Sequence, residues 1–193
     1  MPRPHSPSRG RRESSVTTSA SEFESRTLAV ERVSRMVAGG RRFRFRALVA
    51  IGNKNGVVGI GTGKGLEVAK AVEKATRRAH ASRFSVPRRN GTIPRDILVK
   101  SGTARILMRP ASPGHGIVAG SVVRALCELA GITDISAKIL SRSTNNLSNA
   151  RATVEGLRFL AERVAVAEQR KPAQRSKPND AQAAATQEQR ASS

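Results

Sequence analysis

From Leu28 the chain carries a loose alternation of apolar and polar positions, Leu28-Ala-Val-Glu-Arg-Val33 and then Ser34-Arg-Met-Val37. A period of two is what a half-buried strand requires, because successive side chains point to opposite faces. Ala38-Gly39-Gly40-Arg41 breaks the run. Phe43-Arg44-Phe45-Arg46 then alternates cleanly and leads into Ala47-Leu-Val-Ala-Ile51, so one face of this strand carries Arg and the other Phe. Asn53-Lys54-Asn55-Gly56 separates it from Val57-Val-Gly-Ile60. Asn-Gly between apolar runs signals a hairpin, since both turn positions tolerate positive φ. Residues 28–62 therefore read as a three-stranded antiparallel meander.

The period then lengthens to that of a helix. Leu66, Ala69, Val72, Thr76 and Ala79 fall on one face and Lys70, Lys74, Arg77 and Ala81 on another. Glu73 and Arg77 are spaced for an i,i+4 pair, and the helix is expected to end near Ser82, ahead of Pro87. The basic stretch Arg83–Gly91 reads as a connector. Strands follow near Ile97–Lys100 and Thr103–Arg109, then a loop at Pro110–Gly116 and a helix near Ala119–Ala130. A strand near Ile135–Leu140 precedes a helix from about Asn146, whose spacing persists through Val154, Leu157, Leu160 and Val164. The fold class is α+β in two lobes: a three-stranded sheet plus helix over 28–90, and an α/β lobe over 91–168. Residues 1–27, rich in Pro, Ser and Arg, and 169–193, without apolar periodicity, read as a disordered basic arm and a disordered tail.

Charge narrows the function. The chain has 35 Lys plus Arg against 14 Asp plus Glu, a net +21 over 193 residues. Between Thr27 and Val164 alone there are 25 basic and 8 acidic residues, so the folded part is itself basic. Such a surplus repels itself, and a polyanion that neutralises it releases counterions and gains affinity. Nucleic acid fits better than lipid, because no run of about 18 apolar residues is present to span a bilayer. Three early Pro and three Glu in the arm argue against an amphipathic transit helix there. With five Phe and no Trp or Tyr, recognition by stacking on aromatic platforms is disfavoured. Phosphates, backbone shape and hydroxyls remain, which points to structured RNA.

Motifs for chemistry are weak. Gly59-Ile-Gly-Thr-Gly-Lys-Gly65 is no Walker loop, since Gly59 stands one residue too close to Gly63-Lys64 and Gly65 replaces the metal-binding Ser or Thr. It nevertheless puts backbone and Lys64 at an expected helix N-terminus, where an RNA phosphate can sit. The loop Pro110–Gly116 reads either as a similar anion site or as a tight Pro/Gly turn. Ser112 and His115 lack any nucleophile–base signature, and the acidic residues do not cluster as a metal site requires. Neither an enzyme, a cofactor nor a metal is expected. Cys127, alone in an apolar run, reads as a buried core thiol.

Several segments together resemble the bacterial small-subunit ribosomal protein S-five family. They are Val37-Ala-Gly-Gly-Arg-Arg-Phe43, Asn55-Gly-Val-Val-Gly-Ile-Gly61, Gly63-Lys64, Pro110-Ala-Ser112, Gly116-Ile-Val-Ala-Gly120 and Arg151-Ala-Thr-Val-Glu-Gly-Leu157, in order between about Glu31 and Phe159. The resemblance implies a first lobe similar to a double-stranded-RNA-binding domain without its opening helix. The second lobe would have the α/β fold also found in some small-molecule kinases. It further implies a component of the cytoplasmic small subunit that binds its rRNA near the mRNA entry channel, abuts proteins S-four and S-eight, and supports assembly and translational accuracy. Gly39 and Gly40 would let the backbone approach RNA closely, while Arg41, Arg42, Arg44, Arg46, Lys54, Asn55 and Lys64 would hold it. Gly116 and Arg124 match positions on the S-four side. Ala38, Arg95, Arg142, Asn146 and Ser148 depart from the family pattern, which alters individual contacts in those loops. A free-standing duplex-RNA binder and a phosphotransferase built on the second lobe are the rival readings.

Overall fold

The computed structural model describes residues 23–170; the arm up to Glu22 and the tail beyond Arg170 lie outside the described residues. The first sheet runs in the order β1-β2-β3-β4, from β1 (Glu24–Val37), β2 (Gly40–Gly52), β3 (Val57–Gly65) and β4 (Phe84–Ser85), all antiparallel. The meander is thus extended by a two-residue fourth strand after the helix. Strand β1 opens at Glu24 rather than Leu28, with Glu24 to Thr27 paired along Gly52 to Val49. These four residues are exposed, so they carry none of the apolar alternation by which a strand is read.

Val37 pairs with Gly40, leaving Ala38-Gly39 as a two-residue turn, and Gly40 has φ +104°. The second turn is wider than an Asn-Gly pair. Lys54 (φ +54°) and Gly56 (φ +91°) take the left-handed conformation, not Asn55. The Asn53 side chain fixes this shape by accepting from the backbone N–H groups of Asn55 (2.8 Å) and Val57 (3.0 Å).

Helix α1 (Val68–Ala81) begins later than expected and buries a different stripe. Ala71, Ala75 and Ala79 face the sheet, whereas Leu66 is 70 % exposed and Val68 41 %. The cause lies in β3, whose Gly59, Gly61, Gly63 and Gly65 belong to a strand and not to a phosphate-cradling loop. A Cβ at Gly61 would stand 2.1 Å from the Ala75 carbonyl oxygen, one at Gly63 2.1 Å from that of Ala71, and one at Gly59 2.5 Å from that of Ala79. Helix backbone rests almost directly on strand backbone, and only the smallest residues on both sides allow it.

The second sheet has the order β5-β6-β8-β7: β5 (Ile97–Ser101), β6 (Ala104–Pro110) and β8 (Ile135–Ile139) are antiparallel neighbours, and β7 (Ile117–Val118) lies parallel to β8. Helices α2 (Ser121–Ala130) and α3 (Asn146–Arg170) pack against each other, α3 also against β5 and β6. Cys127 is fully buried on α2, and burial pushes its thiol up to about 12.

The lobes share a core. Leu48 and Ala50 of β2 and Val58 of β3 join Leu126 and Leu129 of α2, Leu157 and Leu160 of α3, and Ile93 of the connector. The other face of β2 supplies Ala47, Val49 and Ile51 to a second cluster with the α1 alanines. The tip of the β2–β3 hairpin docks on the end of α2, with Lys54 N–H donating to Leu129 O (2.9 Å) and Gly56 N–H to Ala130 O (3.0 Å).

Gly61→Ala is expected to cost about 3 kcal/mol or more, because the helix must lift off the sheet. Gly39→Ala, whose Cβ meets nothing within 4 Å, should stay within about 0.5 kcal/mol. Urea-unfolding midpoints of the two variants test the contrast.

Candidate nucleic-acid interface

Strand β3 pairs with β2 no further out than Phe45, opposite Gly65, while β1 and β2 continue together to the Ala38-Gly39 turn. Beyond the sheet the two strands form a free ribbon about 16 Å long, at 3.3 Å per residue over the five residues from Gly40 to Arg44. Paired residues share a face in this register. Arg35 stands opposite Arg42, Val33 opposite Arg44, and Arg46 lies between Glu31 on β1 and Lys64 on β3. Arg35, Arg42, Arg44 and Lys64 line one shallow concavity with Val33 and Val37.

Like charges directly opposite one another destabilise a sheet by roughly 0.2–1 kcal/mol a pair. The Arg46–Glu31 ion pair relieves one position, and Arg46 is the most shielded of these cations. Arg35, Arg42, Arg44 and Lys64 have no carboxylate partner among the described residues. The reverse face bears Arg41, opposite Met36, and Phe43, whose ring is covered by the Arg32 guanidinium at 3.8 Å.

The residues expected to bind RNA do not form a single patch. Gly39, Gly40, Arg41, Arg42, Arg44, Arg46 and Lys64 gather on or beside the ribbon, Lys64 from within β3 and not from a helix N-terminus. Lys54 and Asn55 sit at the opposite end of β2, roughly 35 Å away at strand spacing. There the Lys54 ammonium pairs with Glu24 at 2.6 Å and holds that carboxyl below its usual range. Asn55 Oδ1 accepts from Arg88 (2.9 Å), whose guanidinium also donates to Gly131 O at 3.0 Å. Both residues therefore lie in a joint between the lobes. Gly131 closes α2 at φ +74° with no room for a Cβ, which would meet the Lys54 carbonyl oxygen at 1.9 Å.

Gly116 (φ +73°) precedes β7, and its N–H donates to Asp134 Oδ1 at 2.9 Å. That bond, then the Thr133 hydroxyl at 2.8 Å from Oδ2, holds the Asp134 carboxyl below its usual range. Arg124 lies on the exposed side of α2 and pairs with Glu128 at 3.2 Å; Glu128 also takes Arg26 of β1. No hydrogen bond or ion pair joins Gly116 to Arg124 among the described residues. Arg35 and Arg32 were absent from the expected set. Both lie in the apolar–polar stretch of β1, but only the register places Arg35 opposite Arg42 and Arg32 opposite Phe45 on the reverse face. Among the described residues no helix is long and apolar enough to cross a membrane, and no three His, Cys, Asp or Glu gather as a metal group.

Comparison with known proteins gives the class. The family model described as "Ribosomal protein S5, N-terminal domain" matches residues 23–87, and that described as "Ribosomal protein S5, C-terminal domain" matches residues 99–170. "Small ribosomal subunit protein uS5" of Thermus thermophilus is 48% identical over 150 residues, covering 78% of this chain and 92% of its own length. The proteins of that name from two individual strains of the same organism match to the same extent. A basic two-lobed chain with these relatives is a small-subunit ribosomal protein, a structural constituent and not an enzyme. It belongs to the ribosomal protein S5 family.

Because the Asp134 pKa is depressed in the folded chain, its stabilising effect is present above the ordinary carboxylate range and is lost as pH falls through the depressed value. The melting temperature of Asp134→Asn should lie below that of the parent at neutral pH, and the gap should narrow as pH falls below the ordinary carboxylate range. Melting curves across that range provide the check.

Proposed function

We propose that this chain grips small-subunit rRNA by its phosphates, with the β1–β2 ribbon laid along the RNA backbone. One observation carries the reading: Arg35 faces Arg42 across the ribbon, with Arg44 and Lys64 on the same face and none of the four paired with a carboxylate of the described residues. An arrangement that costs the free protein stability is retained where a polyanion cancels the repulsion. The Ala38-Gly39 turn and Gly40 leave the tip open, with nothing within 4 Å of either glycine's Cβ position, so backbone can approach a phosphate closely. Arg41 extends the grip from the reverse face. Lys54 and Asn55 serve from the far end by fixing the joint, engaged as they are with Glu24 and Arg88.

In this reading the ribbon meets rRNA near the mRNA entry channel. Gly116 and Arg124 face protein S-four, and protein S-eight abuts the second lobe. The contribution to assembly and to translational accuracy follows from a rigid link between an RNA-holding ribbon and a protein-facing lobe. What supports the rigidity is the shared core and the docked Lys54–Gly56 tip.

Binding of purified small-subunit rRNA is measured against salt. Arg42→Gln with Arg44→Gln is expected to flatten the slope of log K against log salt by about two, with no change in RNA preference. A changed preference at unchanged slope overturns the phosphate reading. In a gradient of cell lysate the chain should travel with small subunits and survive a moderate-salt wash. Equal binding to unrelated duplexes, with the chain left in the light fractions, would favour a free-standing duplex binder.

A further inference from the structure

The second sheet is covered on one face only. Ile97, Val99, Ile106, Met108 and Ile139 point into the core on the side of α2 and α3. The register defines the opposite face in three rows. Leu98 stands across from Leu107, and Leu107 from Lys138. Lys100 stands across from Arg105, whose carbonyl oxygen accepts from the Leu140 N–H at 2.8 Å. Arg109 stands across from Ser136, which lies beside Val118. Leu98, Val118 and Leu140 are 50, 54 and 50 % exposed, so no element of the described chain covers them.

Four cations, Lys100, Arg105, Arg109 and Lys138, share this face, and its strand positions hold no carboxylate. Asp96, just ahead of β5, forms no ion pair with any of them. Lys100 directly opposite Arg105 repeats the like-charge pairing of Arg35 and Arg42 on the ribbon. The cations extend about 13 Å along β6, from Arg105 to Arg109. Aliphatic side chains are interspersed among them: Leu98 and Leu107 face each other, but Lys138 bounds that pair, and Leu140 and Val118 stand in other rows, without continuity across the face. A protein partner held by burial would require that continuity. A sugar–phosphate backbone needs spaced cations, with flat aliphatic surface against the riboses.

We infer that the open face of the second sheet is a second rRNA-backbone site, centred on Lys100, Arg105 and Lys138 and separate from the ribbon. The inference rests on the rRNA-binding reading above. It makes the chain a two-handed clamp, one hand on each sheet, joined through the common core.

The test uses the full chain in reconstituted small subunits. Leu98→Cys is coupled to a hydroxyl-radical-generating iron chelate; Cys127 is fully buried and does not compete for the reagent. The expected result is strand scission at a discrete rRNA segment. Lys100→Gln with Arg105→Gln should flatten the salt slope of rRNA binding by about two, while the free chain melts at the same or a higher temperature. The inference is overturned if the tether cuts no rRNA, if it attacks a neighbouring ribosomal protein instead, or if the salt slope is unchanged. When Arg42→Gln with Arg44→Gln lowers the slope and the sheet variant does not, the second site alone is lost. When neither does, the phosphate reading fails as a whole.

Discussion

Everything in this molecule is referred to the inner half of β2. From Ala47 to Gly52 the strand is buried on both faces, against α1 on one side and the second lobe on the other. Leu48, Val49 and Ile51 each contribute about 1.5–3 kcal/mol by leaving water, so this segment does not shift independently of its surroundings. Contact is closest where side chains are smallest: β3 glycines lie under the α1 alanines, and Gly52 lies against Leu129 so tightly that a Cβ would stand 2.2 Å from its carbonyl oxygen. Backbone packed on backbone leaves no soft layer to absorb motion. The outer half of the same strand inherits that rigidity.

Rigidity decides what the charges can do. Were the ribbon a mobile loop, Arg35, Arg42 and Arg44 could separate and relieve their repulsion through water. Fixed in register, they cannot, and the free chain bears the cost. Among the described residues a carboxylate is supplied to these cations only where Glu31 reaches Arg46, at the root of the ribbon. The same strand pairing that sets the hydrophobic core therefore sets the density of positive charge. A rod of phosphates meets a pre-spaced row of donors and need not organise it, which lowers the entropy lost on binding.

The order of elements was largely legible because long apolar periodicities dominate both lobes, and the strands Ile97–Ser101, Ala104–Pro110 and Ile135–Ile139 fall close to where their patterns put them. Four features were not legible, each for a physical reason. The stripe of α1 that meets the sheet is Ala71, Ala75 and Ala79 instead of the bulkier Leu66, Val72 and Thr76, since a glycine strand selects alanine over leucine. Gly63 and Gly65 at the end of β3 looked like loop because backbone freedom and close approach leave the same residue in the sequence. The division of the expected RNA contacts into a ribbon group and a joint at Lys54 and Asn55 depends on the length of β2, and the pairing of Arg35 with Arg42 depends on register. Neither quantity is local. The resemblance in the glycine turn and the Gly116 segment supplied the family, and the family in turn gave no guide to the charges of the open second sheet.

The two clusters of the core differ in how far apart their members lie along the chain, and this orders events at the time of synthesis. Ala47, Val49, Ile51, Ala71, Ala75 and Ala79 all precede the connector, so α1 can settle on β2 and β3 while the rest is still being made. The other side of β2 has no such local partner. Leu48, Ala50 and Val58 await Leu126 and Leu129, then Leu157 and Leu160 from the last helix. Leu147, in the first turn of α3, lines a small hollow with Leu48 beside Arg46. Until that helix has emerged, the nascent chain holds out a greasy strip contiguous with its most basic surface, a combination prone to clinging to the very RNA-rich machine that is producing it.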